Sequence, residues 1–302
     1  MVVFLVHLLL ALTQGRHAGW ESQYIQTLFA IAAASGIAFI IVELRLQQPL
    51  VELRLFKIVP FSAASAIFLI ATMGEFSSSF LIALFLQRVL TLTPFQAGQM
   101  LIPGALLWGF SNLIAGRLAD QVNNRLLVSV ALMMIAVAFY RFSHIDLWST
   151  TTYILSLFMV QSFARGLLQS PLINFLMAVL PKEKVIMGSG LRGLMNGLGS
   201  TFGVSMAAIF VEKQQTLHAL AFSADQSLSP IGAAEAVAAT QGELYAAGEW
   251  DLLPTKAMLL VRKVMLDEAA VMAYRDCYMA IAVSSLVSLV LTLFLRLPRR
   301  RR

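Results

Sequence analysis

Long apolar runs alternate with short polar segments along the chain, and the length of these runs is their most informative property. At about 1.5 Å of rise per residue, an α-helix of roughly 18 to 20 apolar residues crosses the hydrocarbon core of a bilayer. Seven runs reach about this length, at residues 25–42, 61–86, 97–114, 126–142, 152–176, 188–211 and 272–295. The pattern predicts an all-α, polytopic membrane protein embedded in a lipid bilayer.

The N-terminal residues 1–12 are also apolar, but they are too few to span a bilayer. They lack the basic start and the small-residue cleavage site of a signal peptide. We therefore expect them to be the end of a helix whose beginning is missing, so that residues 1–42 form one partial and one full transmembrane helix.

The polar segments divide the rest of the chain. Residues 43–60 alternate charged residues with leucine and include Pro49, which predicts an interfacial cytoplasmic linker. Residues 61–302 then hold six runs, a self-contained bundle, whose short early loops predict that consecutive helices pack as antiparallel neighbours. Residues 212–274 are polar and contain Pro230 and Pro254, which predicts a long outer loop with short amphipathic helices at 233–247 and 256–270.

Composition and charge support a membrane location and give little support to a nucleic-acid role. The chain is 59% hydrophobic and only 13% charged, with a mean hydropathy of +0.78, values that soluble domains rarely reach. The net charge is +6, and the basic residues are distributed unequally between the two sides of the membrane. The predicted inner segments hold 12 of them and the short outer loops hold three. Basic residues concentrate on the cytoplasmic side, so we expect a cytoplasmic C-terminus.

The sequence offers no motif for metal, cofactor or enzymatic chemistry. Cys277 is the single cysteine, which excludes a disulfide within the chain, and the four histidines are scattered without metal-ligand spacing. No glycine-rich nucleotide motif follows a predicted strand. We expect no metal, no cofactor, no ATP hydrolysis and no enzyme activity.

Glu75 lies near the middle of the apolar run 61–86. A carboxylate at that depth is costly, and such residues usually face a bundle interior or a wet cavity, where they carry protons, ions or substrate. Thr72, Ser78 and Ser79 lie three or four residues away and therefore share its helical face. This polar face indicates that the interior of the bundle has a function, as in a transporter, and that the chain is not an inert membrane anchor.

Arg165 lies at a similar depth in the run 152–176, flanked at the same helical spacing by Gln161 and Gln169. We expect Arg165 and Glu75 to meet near the midplane of the membrane. Two interpretations remain open: a pair that forms and separates during transport, or a permanent pair that joins two helices. Because buried pairs add little net stability, the first is favoured.

The run 188–211 is rich in glycine, and two pairs have the small-xxx-small spacing that lets helix backbones approach closely: Gly193 with Gly197, and Gly199 with Gly203. The second pair lies roughly 200° around the helix from the first. The spacing predicts a helix packed between two neighbours on nearly opposite sides.

A charged motif joins the runs 97–114 and 126–142. It consists of Gly116, Arg117 and Asp120, followed by Arg125. These charges can form a network at the cytoplasmic surface that is made in one conformation and broken in another, as a gate requires. The alternative is a solvated loop whose arginines set the topology.

The order and spacing of these motifs resemble one transporter family. Gly116 to Arg125 is similar to the loop between helices of the major facilitator superfamily, and the segments PLVELRLF (49–56), LFLQRV (84–89) and TPFQAG (93–98) resemble its fourteen-helix drug/proton antiporters of the EmrB/QacA type. The resemblance covers essentially the whole chain, but only the later portion of such a protein. It implies a C-terminal six-helix half preceded by about two extra helices, in a bacterial-type inner or plasma membrane.

The resemblance also implies a mechanism, namely alternating access driven by the proton gradient, with export of drugs or other lipophilic small molecules. Glu75 would take and release the proton, and Arg165 would favour the charged carboxylate whenever it is close. The chain departs from the family pattern at Asn196, where the family often has an arginine; Arg192 lies one turn earlier. The first six-helix half is also missing, so we expect an incomplete substrate path. An exporter of one metabolite, and a non-transporting remnant or partner subunit, remain alternatives.

Overall fold

The computed structural model describes residues 2–19, 21–45, 53–180, 185–228 and 253–295, and these residues are almost entirely helical. The prediction of an all-α protein is confirmed. The described part of the chain contains eight α-helices and two short 3-10 turns, the latter at Leu53–Lys57 and Thr292–Phe294. The α-helices are α1 (Val2–Ala18), α2 (Gln23–Arg45), α3 (Val59–Arg88), α4 (Pro94–Gln121), α5 (Asn124–Phe142), α6 (Thr151–Ala178), α7 (Val185–Leu228) and α8 (Leu253–Leu291).

Six of the described helices, α2, α3, α4, α5, α7 and α8, are long and apolar enough to cross a membrane. The helix α6 coincides with the predicted run 152–176 and is 28 residues long, but it is not among these six. Its apolar sequence is interrupted by a polar stripe of Gln161, Arg165 and Gln169. Gln161 is fully buried inside the bundle, so this stripe faces the protein interior.

Local sequence sets several helix ends. At the start of α4, the Gln96 backbone N–H donates to Thr93 Oγ1 (3.3 Å), and the Thr93 N–H donates to Gln96 Oε1 (3.0 Å). This reciprocal capping box, with Pro94 next in the chain, satisfies two backbone donors at a helix start. The Asn123 side chain accepts from the Arg125 N–H (3.0 Å) and begins α5 only two residues after α4 ends.

The helices α3 to α8 form one bundle around a shared aromatic and aliphatic core. α4 packs mainly on α6, α3 packs on α7 and α8, and α5 packs on α6 and α8. The prediction that consecutive helices are packing neighbours is therefore wrong for α3 with α4 and for α4 with α5, because a short loop brings together only two helix ends. The largest fully buried side chains include Phe85, Phe139, Phe142, Phe175 and Tyr278.

The first two helices form a separate pair. α1 and α2 pack on each other around Ala11, Ile25 and Leu28, and α1 also touches α7. The predicted linker 43–60 begins within the last turn of α2 and ends within the first turn of α3, while residues 46–52 lie outside the described residues.

The predicted outer loop 212–274 is wrong at both of its ends. α7 continues to Leu228 and α8 begins at Leu253, so residues 212–228 and 253–274 are helical. The amphipathic helix expected at 256–270 is the first part of α8, and the one expected at 233–247 lies outside the described residues. A helix that continues beyond the membrane needs no apolar run, which is why hydropathy alone ended α7 too early and began α8 too late.

The two glycine pairs of α7 have different surroundings. A Cβ atom at Gly203 would lie 2.4 Å from the Met73 carbonyl oxygen, and one at Gly199 would lie 3.0 Å from the Thr72 side chain. These two glycines therefore bring α7 against α3. At Gly193 and Gly197, no atom of the described residues lies within 4 Å of an added Cβ, so the predicted second neighbour is not found in this part of the chain.

Candidate functional site

The centre of the bundle holds an ion pair between α3 and α6. Arg165 Nη2 donates to Glu75 Oε1, and Arg165 Nη1 donates to Ser79 Oγ (3.4 Å). The hydroxyls of Ser78 and Ser79 donate to the Glu75 backbone carbonyl, each at 2.9 Å. The structure thus brings together the two charged residues that the sequence places at similar depth, with side chains that are 16% exposed for Arg165 and 27% exposed for Glu75.

Gln161 extends this polar cluster by one helical turn. Its side chain is fully buried, and its Nε2 donates to Ser78 Oγ (3.2 Å). Its Oε1 has no hydrogen-bond partner among the described residues, and neither has Arg165 Nε. Buried polar atoms are normally hydrogen-bonded to protein or water, so these two atoms mark the interior as a place suited to water.

A cavity of about 50 Å³ adjoins the ion pair and is lined by α3, α5, α6, α7 and α8. That volume has room for a few water molecules but is far below the roughly 300–1,000 Å³ typical of small-molecule pockets. By itself the cavity can therefore hold protonatable groups and water rather than a drug-sized substrate. Its polar lining includes Thr72, Glu75, Gln161, Arg165, Gln169 and Asn196.

Asn112 on α4 is a site residue that sequence reasoning missed. Its Nδ2 donates to Gln169 Oε1 (3.0 Å), and Ser170 Oγ donates to its Oδ1. The sequence contains a signal for it, because Asn112 places a polar carboxamide inside the apolar run 97–114. Glu75 interrupts the run 61–86 in the same way. This network fixes one end of the polar stripe on α6 to α4.

Trp108 contacts the site from the same helix. The guanidinium carbon of Arg165 lies 6.0 Å from the centroid of the Trp108 ring, within the range of a cation–π contact. The approach is possible because of Gly166, where an added Cβ would lie 1.8 Å from Ser111 Oγ and 2.4 Å from the Trp108 carbonyl oxygen. Gly166 therefore holds the segment of α6 that carries Arg165 tightly against α4.

The predicted gate motif lies where α4 ends and α5 begins, away from the ion pair. Arg117 is exposed and Arg125 is half-buried in the first turn of α5. A Cβ at Gly116 would lie 3.9 Å from Ser170 Oγ, which leaves ordinary space there. The side chain of Asp120 lies outside the described residues, so the charge network of this motif stays a prediction.

Asn196 and Arg192, the two candidates for the arginine of the family pattern, are placed differently by the structure. Asn196 lines the central cavity, whereas Arg192 is not part of its lining. The polar group that α7 contributes to the cavity lining is thus the uncharged carboxamide of Asn196.

A second polar cluster joins the extension of α7 to α8. Asp276 Oδ2 accepts from Gln214 Nε2 (2.7 Å) and lies 2.8 Å from His218 Nε2, and Arg275 Nε donates to the Ser143 carbonyl (2.9 Å). The sequence does not reveal this cluster, because hydropathy assigns Gln214 and His218 to a loop. Among the residues that the structure covers, no group of three or more His, Cys, Asp or Glu side chains could hold a metal ion.

Comparison with known proteins shows which family the chain resembles. The sequence pattern described as Major Facilitator Superfamily matches residues 1–204. The chain is 24% identical over 301 residues to the MFS-type transporter YhcA of Bacillus subtilis, covering 99% of this chain and 57% of that protein.

Two further relatives carry names that refer to drugs. The chain is 28% identical over 189 residues to the lincomycin resistance protein LmrB of Bacillus subtilis, covering 63% of this chain and 40% of that protein. It is 28% identical over 218 residues to the multidrug export protein EmrB of Haemophilus influenzae, covering 69% of this chain and 41% of that protein. The chain spans about half the length of the curated relatives it matches.

Proposed function

The chain belongs to the major facilitator superfamily, and we propose that it acts in a proton-coupled secondary transporter that exports drugs or other lipophilic small molecules. The names of several relatives, among them a multidrug export protein and a lincomycin resistance protein, support this substrate class. The apolar helices make it an integral membrane protein. Its relatives are bacterial proteins, which supports a bacterial-type inner membrane. The distribution of basic residues supports a cytoplasmic C-terminus.

The contact between Glu75 and Arg165 inside the bundle is the observation that carries the proposal. A buried pair of this kind stabilises a fold little, because desolvation of the two charges offsets most of their attraction. An ionisable pair that faces a membrane-protein interior is instead characteristic of proton relays and substrate paths. In this proposal Glu75 is the residue that takes and releases the coupled proton.

The surroundings of Arg165 suit a pair that separates. When Glu75 gains a proton it loses its charge, and its attraction for the guanidinium falls. Arg165 then retains its contact with the Trp108 ring on α4. This neighbour allows the arginine to stay in place while α3, which carries both Glu75 and Ser79, moves relative to α6, and this movement couples the protonation of Glu75 to a change of conformation.

The small central cavity supports a role for a second half of the transporter. With room for only a few water molecules, the central cavity itself offers no space for a drug-sized molecule in contact with the ion pair. In transporters built from repeats, the substrate site lies between the two repeats. We propose that a further six-helix half completes the path.

Transport in vesicles tests this function. Membrane vesicles from cells that express the chain in its natural genetic context are loaded with ethidium as a lipophilic probe, and a pH gradient is imposed. The proposal predicts ethidium movement that depends on the chain and disappears when a protonophore collapses the gradient. Movement that persists without the gradient, or requires ATP, would contradict it.

A further inference from the structure

A second, apolar cavity lies directly beside the central one. It has a volume of about 380 Å³, is lined by α3, α7 and α8, and opens to the surface of the bundle. Ile70, Gly74 and Ile281 line both cavities. We call this space the side cavity. Its volume lies within the roughly 300–1,000 Å³ range of small-molecule pockets, which the central cavity does not reach.

The chemistry of the side cavity favours an apolar occupant. Two hydroxyl groups line it, but both donate within the protein: Ser77 Oγ to the Gly203 carbonyl (2.7 Å) and Ser284 Oγ to the Ile281 carbonyl (2.8 Å). The other lining surface comes largely from aliphatic, thioether and aromatic side chains, including Met206 and Phe210. A ligand that needs hydrogen bonds would find few there, whereas methionines adapt to apolar bodies of different shapes.

The mouth of the side cavity lies on the outer surface of the bundle. Met206 and Phe210 are 55% and 39% exposed, and both belong to the part of α7 that is long and apolar enough to cross a membrane. Apolar side chains exposed at this depth face lipid wherever no further helix covers them. On a lipid-facing side, a molecule dissolved in the bilayer can reach the cavity without first passing through water.

The wall between the side cavity and the ion pair is thin. A Cβ atom at Gly74 would lie 3.3 Å from Ile281 Cγ2, so the residue that precedes Glu75 packs closely on Ile281, and an alanine there would require a shift of a few tenths of an ångström. Ile70 and Ile281 are the two side chains that line both cavities and form this wall. A change in the rotamers of these isoleucines would bring an occupant of the side cavity up to the polar lining around Glu75.

We propose that the side cavity binds the apolar or aromatic body of a lipophilic small molecule that enters from the bilayer. Its role as a route to the transport path rests on the function proposed above, whereas the binding itself does not. The position against the ion pair, one side chain away, distinguishes it from a second apolar cavity of about 430 Å³ between α1, α2, α3 and α7, which does not adjoin the ion pair.

Cys277 provides a direct test, since it lines the side cavity and is the only cysteine in the chain. The purified full chain is reconstituted in lipid nanodiscs, and the rate of Cys277 alkylation by N-ethylmaleimide is measured with increasing N-phenyl-1-naphthylamine, a neutral aromatic probe. The probe is expected to slow the reaction in a saturable way, by about tenfold at ten times its dissociation constant, because only the unoccupied fraction reacts. A charged, membrane-impermeant thiol reagent should react more slowly than N-ethylmaleimide.

Matched substitutions separate the two apolar cavities. Ala280→Phe fills the side cavity and should abolish the protection by the probe, with Ala207→Leu as a second filling variant should the first fail to fold. Ala66→Phe fills the other apolar cavity and should leave the protection unchanged. The proposal is overturned if the probe does not slow Cys277 alkylation in the wild-type chain. It is also overturned if the probe slows alkylation in Ala280→Phe as much as in the wild-type chain.

The acyl chain of a lipid is the competing occupant of the side cavity. Alkylation that is slowed by added phospholipid and never by the probe would assign the cavity to an acyl chain, and it would also overturn the proposal. Because alkylation requires no transport, a failure here leaves the gradient-driven ethidium assay as an independent test of the proposed function.

Discussion

Ser77 on α3 donates a 2.7 Å hydrogen bond to the backbone carbonyl of Gly203 on α7. A side-chain hydrogen bond to a helix carbonyl requires the two helices to lie very close together. Gly203 permits this, since an added Cβ there would lie 2.4 Å from the Met73 carbonyl oxygen. The pair Ser77 and Gly203 therefore fixes the distance between α3, which carries Glu75, and α7.

The first prediction concerns this helix contact. Gly203→Ala forces two backbones apart and should destabilise the protein by about 1–3 kcal/mol, as overpacking typically does. Gly197→Ala is the matched control on the same helix, because no atom of the described residues lies near its added Cβ. Thermal unfolding in detergent should show a lower midpoint for Gly203→Ala only. Equal midpoints for the two variants would show that α3 and α7 are not in close contact at this point.

The glycines of α7 also show what the sequence could and could not predict. Gly193, Gly197, Gly199 and Gly203 give two pairs with the same spacing, and the spacing identifies a helix with two smooth faces. It does not reveal which face has a neighbour, since this depends on the path of the other helices. Only the face of Gly199 and Gly203 meets α3 in the part of the chain that the structure describes.

The charged pair was more predictable than the network around it. A carboxylate and a guanidinium inside apolar runs are so costly that each requires a partner, and the depth of Glu75 and Arg165 matched. An uncharged carboxamide such as that of Asn112 costs less to bury, so its position in an apolar run does not predict a partner. In the structure its side chain nevertheless donates a hydrogen bond to Gln169. The packing of α4 on α6 rather than on its neighbours in sequence is a long-range property that loop lengths do not encode.

The second prediction concerns the contact that holds Arg165 near Trp108. Gly166→Ala introduces a Cβ that would lie 1.8 Å from Ser111 Oγ and 2.4 Å from the Trp108 backbone, so α6 must shift away from α4. We expect a lower unfolding temperature and a change in Trp108 fluorescence. Gly109→Ala is the control, with nothing within 4 Å of its added Cβ. A Gly166→Ala variant as stable as Gly109→Ala would argue against this helix crossing.

The third prediction concerns the cluster at Asp276. Asp276→Ala removes the acceptor for Gln214 and the partner of His218, which join the extension of α7 to α8. Because these side chains are partly exposed, we expect a local rather than a global effect. Hydrogen exchange should increase in residues 212–222, while Asp267→Ala, a control on the same helix, should leave it unchanged. Unaltered exchange in Asp276→Ala would mean that the extension is held by other contacts.

The fourth prediction concerns topology. The distribution of basic residues predicts that residue 230 lies outside and residue 302 lies in the cytoplasm. Alkaline phosphatase is active only outside and green fluorescent protein is fluorescent mainly inside, so fusions of each reporter after Pro230 and after Arg302 should give opposite results. The same result at both positions would refute the predicted topology.

The fifth prediction concerns Glu75 itself, the residue proposed to carry the coupled proton. Glu75→Gln preserves size and hydrogen bonding but cannot change its charge, so it should block the step that depends on proton binding and release. Glu268→Gln on α8 is the control, since it removes a carboxylate that the central cavity does not contain.

The most direct measurement compares two modes of ethidium movement in vesicles that carry the wild-type chain, Glu75→Gln or Glu268→Gln in its natural genetic context. If Glu75 carries the coupled proton, Glu75→Gln abolishes movement driven by a pH gradient and retains exchange of labelled for unlabelled ethidium at equilibrium, while Glu268→Gln retains both. Gradient-driven movement at the wild-type rate in Glu75→Gln would show that the contact between Glu75 and Arg165 is structural and that the proton is carried elsewhere.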